Sequence, residues 1–323
     1  MSPIARRERD AELIRLLKQH QRLPETRGLV RVDDMTHDHS HAHTELGIHD
    51  WAAMAAELES EADTYLPYVI GALDDFDARR CGPAPSRILD VGAGPGVFTA
   101  ELARRYPDAE VIAVDGSPEL LELARDRAAR AGLTIETLRT DLPGGFASLP
   151  TADLIWSAQT LHHIGDQAAA VAALAGRLAH GGVLAVAEGG LPTRFLPRDI
   201  GIGIPALQDR LEAQMAEGFA AMRAELDGTV DVPEDWPALL RAAGLSGVRA
   251  RTFLVDRPAP LEDGPRRTVA RLLSRYLRLR ERLSPQDAAT LERLTHAEDP
   301  ASVLHRDDVF VLAARTVYTG IAE

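Results

Sequence analysis

An aspartate, Asp90, stands two residues ahead of three glycines spaced two apart, Gly92, Gly94 and Gly96. Glycine in such a turn lets backbone approach a ligand closely, and a helix starting there offers free N–H groups. A carboxylate at the mouth of the turn repels a diphosphate and suits a ligand carrying positive charge, such as the sulfonium and ammonium of S-adenosylmethionine (SAM). The spacing agrees, since it reads G-x-G-x-G and not the G-x-G-x-x-G of the dinucleotide fingerprint. A second acid, Asp115, ends the apolar run 110–116 and is followed by Gly116 and Ser117. An acid in that place can accept both hydroxyls of a ribose. A third, Asp141, closes the alternating run 134–142 just before Leu142 and can accept the exocyclic amine of an adenine.

These acids need strands to carry them. Ile88, Leu89 and Val91 make a short apolar run of the kind buried on both faces, and Phe98, Leu102 and Ala103 continue beyond the glycines at helical spacing. Strand, glycine turn and helix open a doubly wound α/β domain whose ligand sits at the carboxyl end of the strand. Ser117 reads as the cap of the next helix, with Pro118 at its first position and Glu119 in its first turn. Runs 153–158 and 182–188 read as the fourth and fifth strands, with a helix over 166–179 between them ended by Gly181-Gly182.

With these pieces in order, residues 86–188 closely resemble the class I SAM-dependent methyltransferase family. The resemblance implies a seven-stranded Rossmann-like sheet and transfer of a methyl group from SAM to a small molecule, leaving S-adenosylhomocysteine. It places the cofactor on Asp90, Gly92, Ala93, Gly94, Gly96, Asp115, Gly116, Ser117, Asp141, Leu142 and Gln159. The loop 159–164, Gln-Thr-Leu-His-His-Ile, looks like the one that follows the fourth strand in small-molecule members.

Methyl transfer is an in-line displacement in which the enzyme mainly orients the nucleophile and excludes water. A base is needed only for a protonated acceptor. His162 and His163 follow the fourth strand and are the candidate catalytic residues, His162 ahead, because imidazole titrates in the useful range. Glu188, ending the fifth strand, faces the same cleft.

Ahead of the core, 5–21 reads as a short amphipathic helix broken by Pro24 and Gly28, and 51–73 as a longer one that Pro67 kinks or splits. Between them lie His37, His39, His41, His43 and His49 among acids. Extended, the alternation puts four imidazoles on one face; helical, His39 and His43 share one. Either could take Zn²⁺, Ni²⁺ or Cu²⁺ with Asp38 or Asp50, yet the spacing matches no closed zinc site, so no functional metal is expected. The partition expected is 1–85 as an N-terminal helical segment with a His-rich lid, 86–189 as the SAM-binding core, 190–234 as a cap, and 235–323 as the rest of the core. The cap carries a helix over 207–226. The last part holds a helix over 236–244, strand six over 248–255, an insertion over 257–306 and strand seven over 309–317. The insertion's helix, 269–283, sets an apolar stripe against Arg266, Arg267, Arg271, Arg275, Arg278 and Arg282, read as a solvated face.

A formal net charge of −13 speaks against nucleic acid as a partner, because phosphate would be repelled. The lone Cys81 allows no internal disulfide and fits a reducing compartment. No apolar run reaches the ~20 residues of a membrane span, and the charged N-terminus has no signal-peptide core. These features point to a cytoplasmic protein with a small-molecule substrate, for which a homodimer is open. Three other readings stay on the table: a SAM-binding protein with a different reaction, a nicotinamide-dependent oxidoreductase, and a metal-responsive protein built on the histidine run.

Overall fold

A computed structural model describes residues 51–80 and 82–323, with side chains from Glu59 onward. The N-terminal helix expected over 5–21, the histidine run and Cys81 lie outside the described residues. The long helix α1, Trp51–Arg79, runs through Pro67 as one element rather than splitting there. Strand β1 is Arg87–Val91, helix α2 Val97–Arg105, strand β2 Glu110–Asp115 and helix α3 Pro118–Arg130. Ser117 caps α3 as expected, accepting from the amide of Leu120. Strand β3 is Glu136–Arg139, shorter than the sequence reading, and Asp141 lies beyond its end. Strand β4 is Ala152–Ala158.

The alanine-rich stretch after β4 is helical only over α4, Gln167–Ala175; strand β5 starts already at Leu178 and runs to Ala187. Helical propensity favours a longer helix there, but pairing of Leu178 with Ala152 draws residues beyond Gly176 into the sheet. After β5 come strand β6, Leu191–Arg194, and helix α5, Leu207–Glu225. Helix α6 is Trp236–Ala242 and strand β7 Ser246–Arg257. The insertion folds as α7, Asp263–Leu277, and α8, Pro285–Thr295, and strand β8, Val311–Ile321, closes the chain's sheet.

The sheet therefore has eight strands, not seven, in the order β3-β2-β1-β4-β5-β8. The first five pair in parallel. Antiparallel β8 pairs with β7 along its length on one edge, and with β5 and then β6 on the other. The added strand β6 was illegible because Leu191-Pro192-Thr193-Arg194 has no alternating pattern. Strand order reverses between β1 and β4, the crevice where open α/β sheets bind ligands.

Both faces of the sheet are covered. Ile88, Leu154 and Trp156 join Tyr68, Val69 and Leu73 of α1 in one core, while Leu89, Val91, Ile155 and Leu184 join Leu174 and Trp236 in the other. The arginine face of α7 is not simply solvated. Arg271 and Arg275 pair with Glu61 of α1, and Arg266 donates to the carbonyls of Leu261, Val303 and Arg306. Among the described residues no helix is long and apolar enough to cross a membrane.

Candidate active site

The glycine turn sits where β1 meets α2. Gly92, Gly94 and Gly96 all hold positive φ, 78°, 54° and 73°. Space matters as much as φ at two of them. A Cβ on Gly92 would fall 2.0 Å from Thr160 Oγ1, and one on Gly96 2.5 Å from the Ala124 Cβ, so neither position admits a side chain. A Cβ on Gly94 would meet nothing within 4 Å, which leaves the middle of the turn open to a ligand.

Of the two acids expected to flank that opening, Asp115 reaches the Gly94 amide and Asp141 lies beside Gly116. Asp115 accepts from the Gly94 amide at 2.9 Å and from the Ser117 amide at 3.0 Å. Asp141 is exposed, and a Cβ on Gly116 would lie 3.1 Å from its Oδ1. Gly116 thus leaves room for the Asp141 carboxylate one residue beyond Asp115. Leu142 and Gly116 are half-buried beside them, Ser117 caps α3, and Ala93 is held by its amide on the carbonyl of Val114.

Asp90 is where sequence reasoning needs correction. It is not at the mouth but 2% exposed, accepting from Thr99 Oγ1 at 2.6 Å. Burial pushes its carboxyl up to about 7, the Thr99 hydrogen bond pulling the other way and the charge of Asp115 adding to the rise. A β-strand side chain can point only to one face or the other, and Asp90 points to the α1–α2 side, against Trp156 in the neighbouring strand.

The loop after β4 is locked from below by one buried side chain. Glu188 Oε1 accepts from the amides of Thr160 and Leu161 at 2.9 and 2.8 Å, and its Oε2 sits 2.8 Å from His162 Nδ1. A carboxylate can only accept, so Nδ1 carries the hydrogen and Nε2 is left as the basic nitrogen. Gln159 takes a left-handed φ of 53°, which lets both its amide and its side-chain Nε2 donate to the carbonyl of Ala187. A non-glycine residue in that region costs on the order of 1 kcal/mol, strain of the kind that clusters at functional sites.

From above, α5 holds the same loop. Arg223 donates to the carbonyls of His162 and Ile164 at 2.9 and 2.7 Å, and Phe219, one turn earlier, sets its ring 5.6 Å from that of His162. His163 is exposed, with its ring 4.1 Å from the His162 ring.

A family profile described as a methyltransferase domain matches residues 88–182, the stretch from β1 into β5. Over residues 88–182 the chain is similar to that domain. Trans-aconitate 2-methyltransferase of Methylobacterium radiotolerans is 39% identical over 142 residues, 40% of this chain and 52% of that protein. The same-named protein of Rhodococcus jostii is 31% identical over 188 residues, 57% of this chain and 66% of that one. The chain spans about two fifths to two thirds of the length of the curated relatives it matches. Among solved structures, an O-methyltransferase family protein from Burkholderia thailandensis aligns with a TM-score of 0.43 and 18% identity, over 63% of this chain and 57% of that one.

Within residues 88–182, Asp115 meets the Gly94 amide, Asp141 lies against Gly116 and Thr160 lies against Gly92, while Gln159 and His162 are held by Ala187 and Glu188 at the end of β5. Thr99, which satisfies Asp90, and Thr160, which packs on Gly92, belong to the domain and escaped the sequence reading; neither is marked by its neighbours. Outside the domain, Arg223 escaped too, since an arginine on a mixed helix face looks solvated. Tyr68 and Arg315 carried a faint signal, Arg315 being a lone charge inside the apolar run 309–317. Among the described residues no group of three or more His, Cys, Asp or Glu could hold a metal.

Proposed function

We propose that the protein is an enzyme that transfers a methyl group from SAM to a small-molecule acceptor. The observation that carries this reading is the open space over Gly94, with Asp115 on the Gly94 amide and Asp141 against Gly116. An adenosyl group fits that donor and acceptor set: a carboxylate for two ribose hydroxyls, a second for the adenine amine, and a turn with no Cβ in the way. SAM would supply there a methyl carbon already activated by its sulfonium. The chain's own residues do the rest. Asp115 and Asp141 fix the nucleoside, and the glycine turn leaves room for it.

Asp90 lies beneath as a buried carboxylate whose ionised form attracts a cation. His162 Nε2 is free to take a proton from an acceptor hydroxyl or carbon acid, because Glu188 holds Nδ1. Phe219 sets its ring beside that imidazole and Arg223 holds the backbone that carries it, the orienting role that methyl transfer asks of a protein. The names of the relatives make an organic acid the first acceptor to try. The single cysteine and the absence of a membrane-crossing helix among the described residues fit work in the cytoplasm. The segment 190–234 acts as the substrate cap.

Calorimetry with SAM tests the cofactor half. Asp115→Ala should weaken binding by at least ~1 kcal/mol, about fivefold, the loss expected for hydrogen bonds to a charged acceptor. Unchanged affinity would remove Asp115 from the site. Formation of S-adenosylhomocysteine in step with a methylated product tests the reaction; release without such a product would mark a different chemistry.

A further inference from the structure

Next to Glu188, on the α1 side of β8, lies a group of side chains that the mechanism above does not use. Arg315 donates from Nη1 to the carbonyls of Leu191 and Ala314, at 3.1 and 3.2 Å, and from Nη2 to Thr193 Oγ1 at 3.3 Å. Its guanidinium lies 4.8 Å from the centre of the Tyr65 ring, and Tyr65 in turn shares a 2.8 Å hydrogen bond with Thr193. Every one of these partners is neutral. Among the described residues no carboxylate pairs with Arg315, although arginines elsewhere in the fold pair with Asp or Glu. Three of its five N–H groups are engaged, which leaves Nε–H and one N–H of Nη2, the two that form a fork for a planar acid.

One turn further along α1, Tyr68 adds a second and independent sign. It is 2% exposed, packed edge-on to Phe98 at 5.8 Å and stacked on Trp156 at 6.4 Å. Its hydroxyl is buried with no hydrogen-bond partner. A buried orphan donor costs about 1–3 kcal/mol and persists where a ligand satisfies it. Arg315, Asp90 and Glu188 are all near enough for their charges to act on this hydroxyl. Glu188 there accepts from two backbone amides and from His162, and among the described residues no ion pair joins it to Arg315.

We propose that Arg315, with Tyr65 and Tyr68 of α1, forms a carboxylate-binding subsite that anchors the methyl acceptor, so that the acceptor is an organic acid. This rests on the methyltransferase reading and adds to it the feature by which the acceptor is recognised. Arginine supplies a forked, permanently charged donor, the Tyr65 ring holds its plane, and Tyr68 donates to the same anion from a dry wall.

The experiment is calorimetry on the full chain saturated with S-adenosylhomocysteine. It is titrated with acetate, benzoate, succinate and propane-1,2,3-tricarboxylate, and with the trimethyl ester of the last. At least one acid should bind and the ester should not. Arg315→Gln and Tyr68→Phe should each weaken that acid tenfold or more with S-adenosylhomocysteine affinity unchanged, and Tyr68→Phe should not lower the melting temperature, because its hydroxyl bonds to nothing in the fold. Absence of binding by every acid overturns the proposal. So does weakened S-adenosylhomocysteine binding with acid affinity intact, which would give the subsite to the methionyl carboxylate. A loss of stability without a change in acid affinity overturns it too, leaving Arg315 a counter-charge to Glu188. Failure of the parent protein to bind S-adenosylhomocysteine at all would instead defeat the methyltransferase reading itself.

Discussion

Replacing Asp90 by asparagine should make the protein more stable and worse at holding SAM, by an amount that depends on pH. Burial raises this carboxyl to about 7, whereas an aspartate in an unfolded chain titrates near ~3.9. Between those values the folded protein keeps a proton that the unfolded chain has released. Stability therefore falls as pH rises from about 4 to about 7 and levels off above. Three pKa units at ~1.36 kcal/mol each bound the full cost at about 4 kcal/mol.

Asparagine keeps the shape and an oxygen for the Thr99 hydroxyl, but it does not titrate. The stability advantage of Asp90→Asn should thus widen by about 2–3 kcal/mol between about pH 5 and about pH 8, as read from urea unfolding. Affinity for SAM should climb with pH towards about 7 in the parent and stay flat in the variant, because only the ionised acid attracts a cation. A stability gap that does not move with pH would refute the burial argument. A gap that moves while SAM affinity does not would refute the electrostatic role.

Two other perturbations bear on the loop around His162. Glu188→Gln replaces one acceptor oxygen with a donor, so the histidine is no longer held with Nε2 basic. Turnover should fall at least tenfold with a flattened pH–rate profile, while calorimetric SAM affinity stays put. Arg223→Ala strips a charged donor from the carbonyls of His162 and Ile164 and should cost about 2 kcal/mol in denaturant unfolding, with kcat falling more than the SAM dissociation constant rises.

Much of the cofactor side was legible because its residues obey local rules. The apolar runs that became β1, β2, β4 and β5 are buried on both faces, and such strands announce themselves by composition. Ser117 and Pro118 follow the grammar of a helix start, and glycines spaced two apart mark a turn at positive φ. The burial of Asp90 was not legible, because whether an in-strand acid faces solvent depends on what packs over it, here Tyr68 and Trp156 from distant parts of the chain. The same holds for α5. Its sequence marks a helix well, but only the fold shows Phe219 and Arg223 arriving above His162. The misjudged end of α4 has a simpler cause: an alanine-rich stretch prefers helix, and a strand partner outbid that preference.

Helix α5 is fastened at both ends. Near its start Arg210 forks onto Asp287 of α8 at 2.7 and 2.8 Å, a pairing that holds the Asp287 carboxyl below the usual carboxylate range, and near its end Arg223 grips the loop of His162. A helix tied this way joins two distant parts of the chain, the insertion at α8 and the loop after β4. Under the proposed reading of 190–234 as a cap, lifting its Arg223 end would slacken the His162 loop with it, so admission of the acceptor and readiness of the imidazole would be coupled.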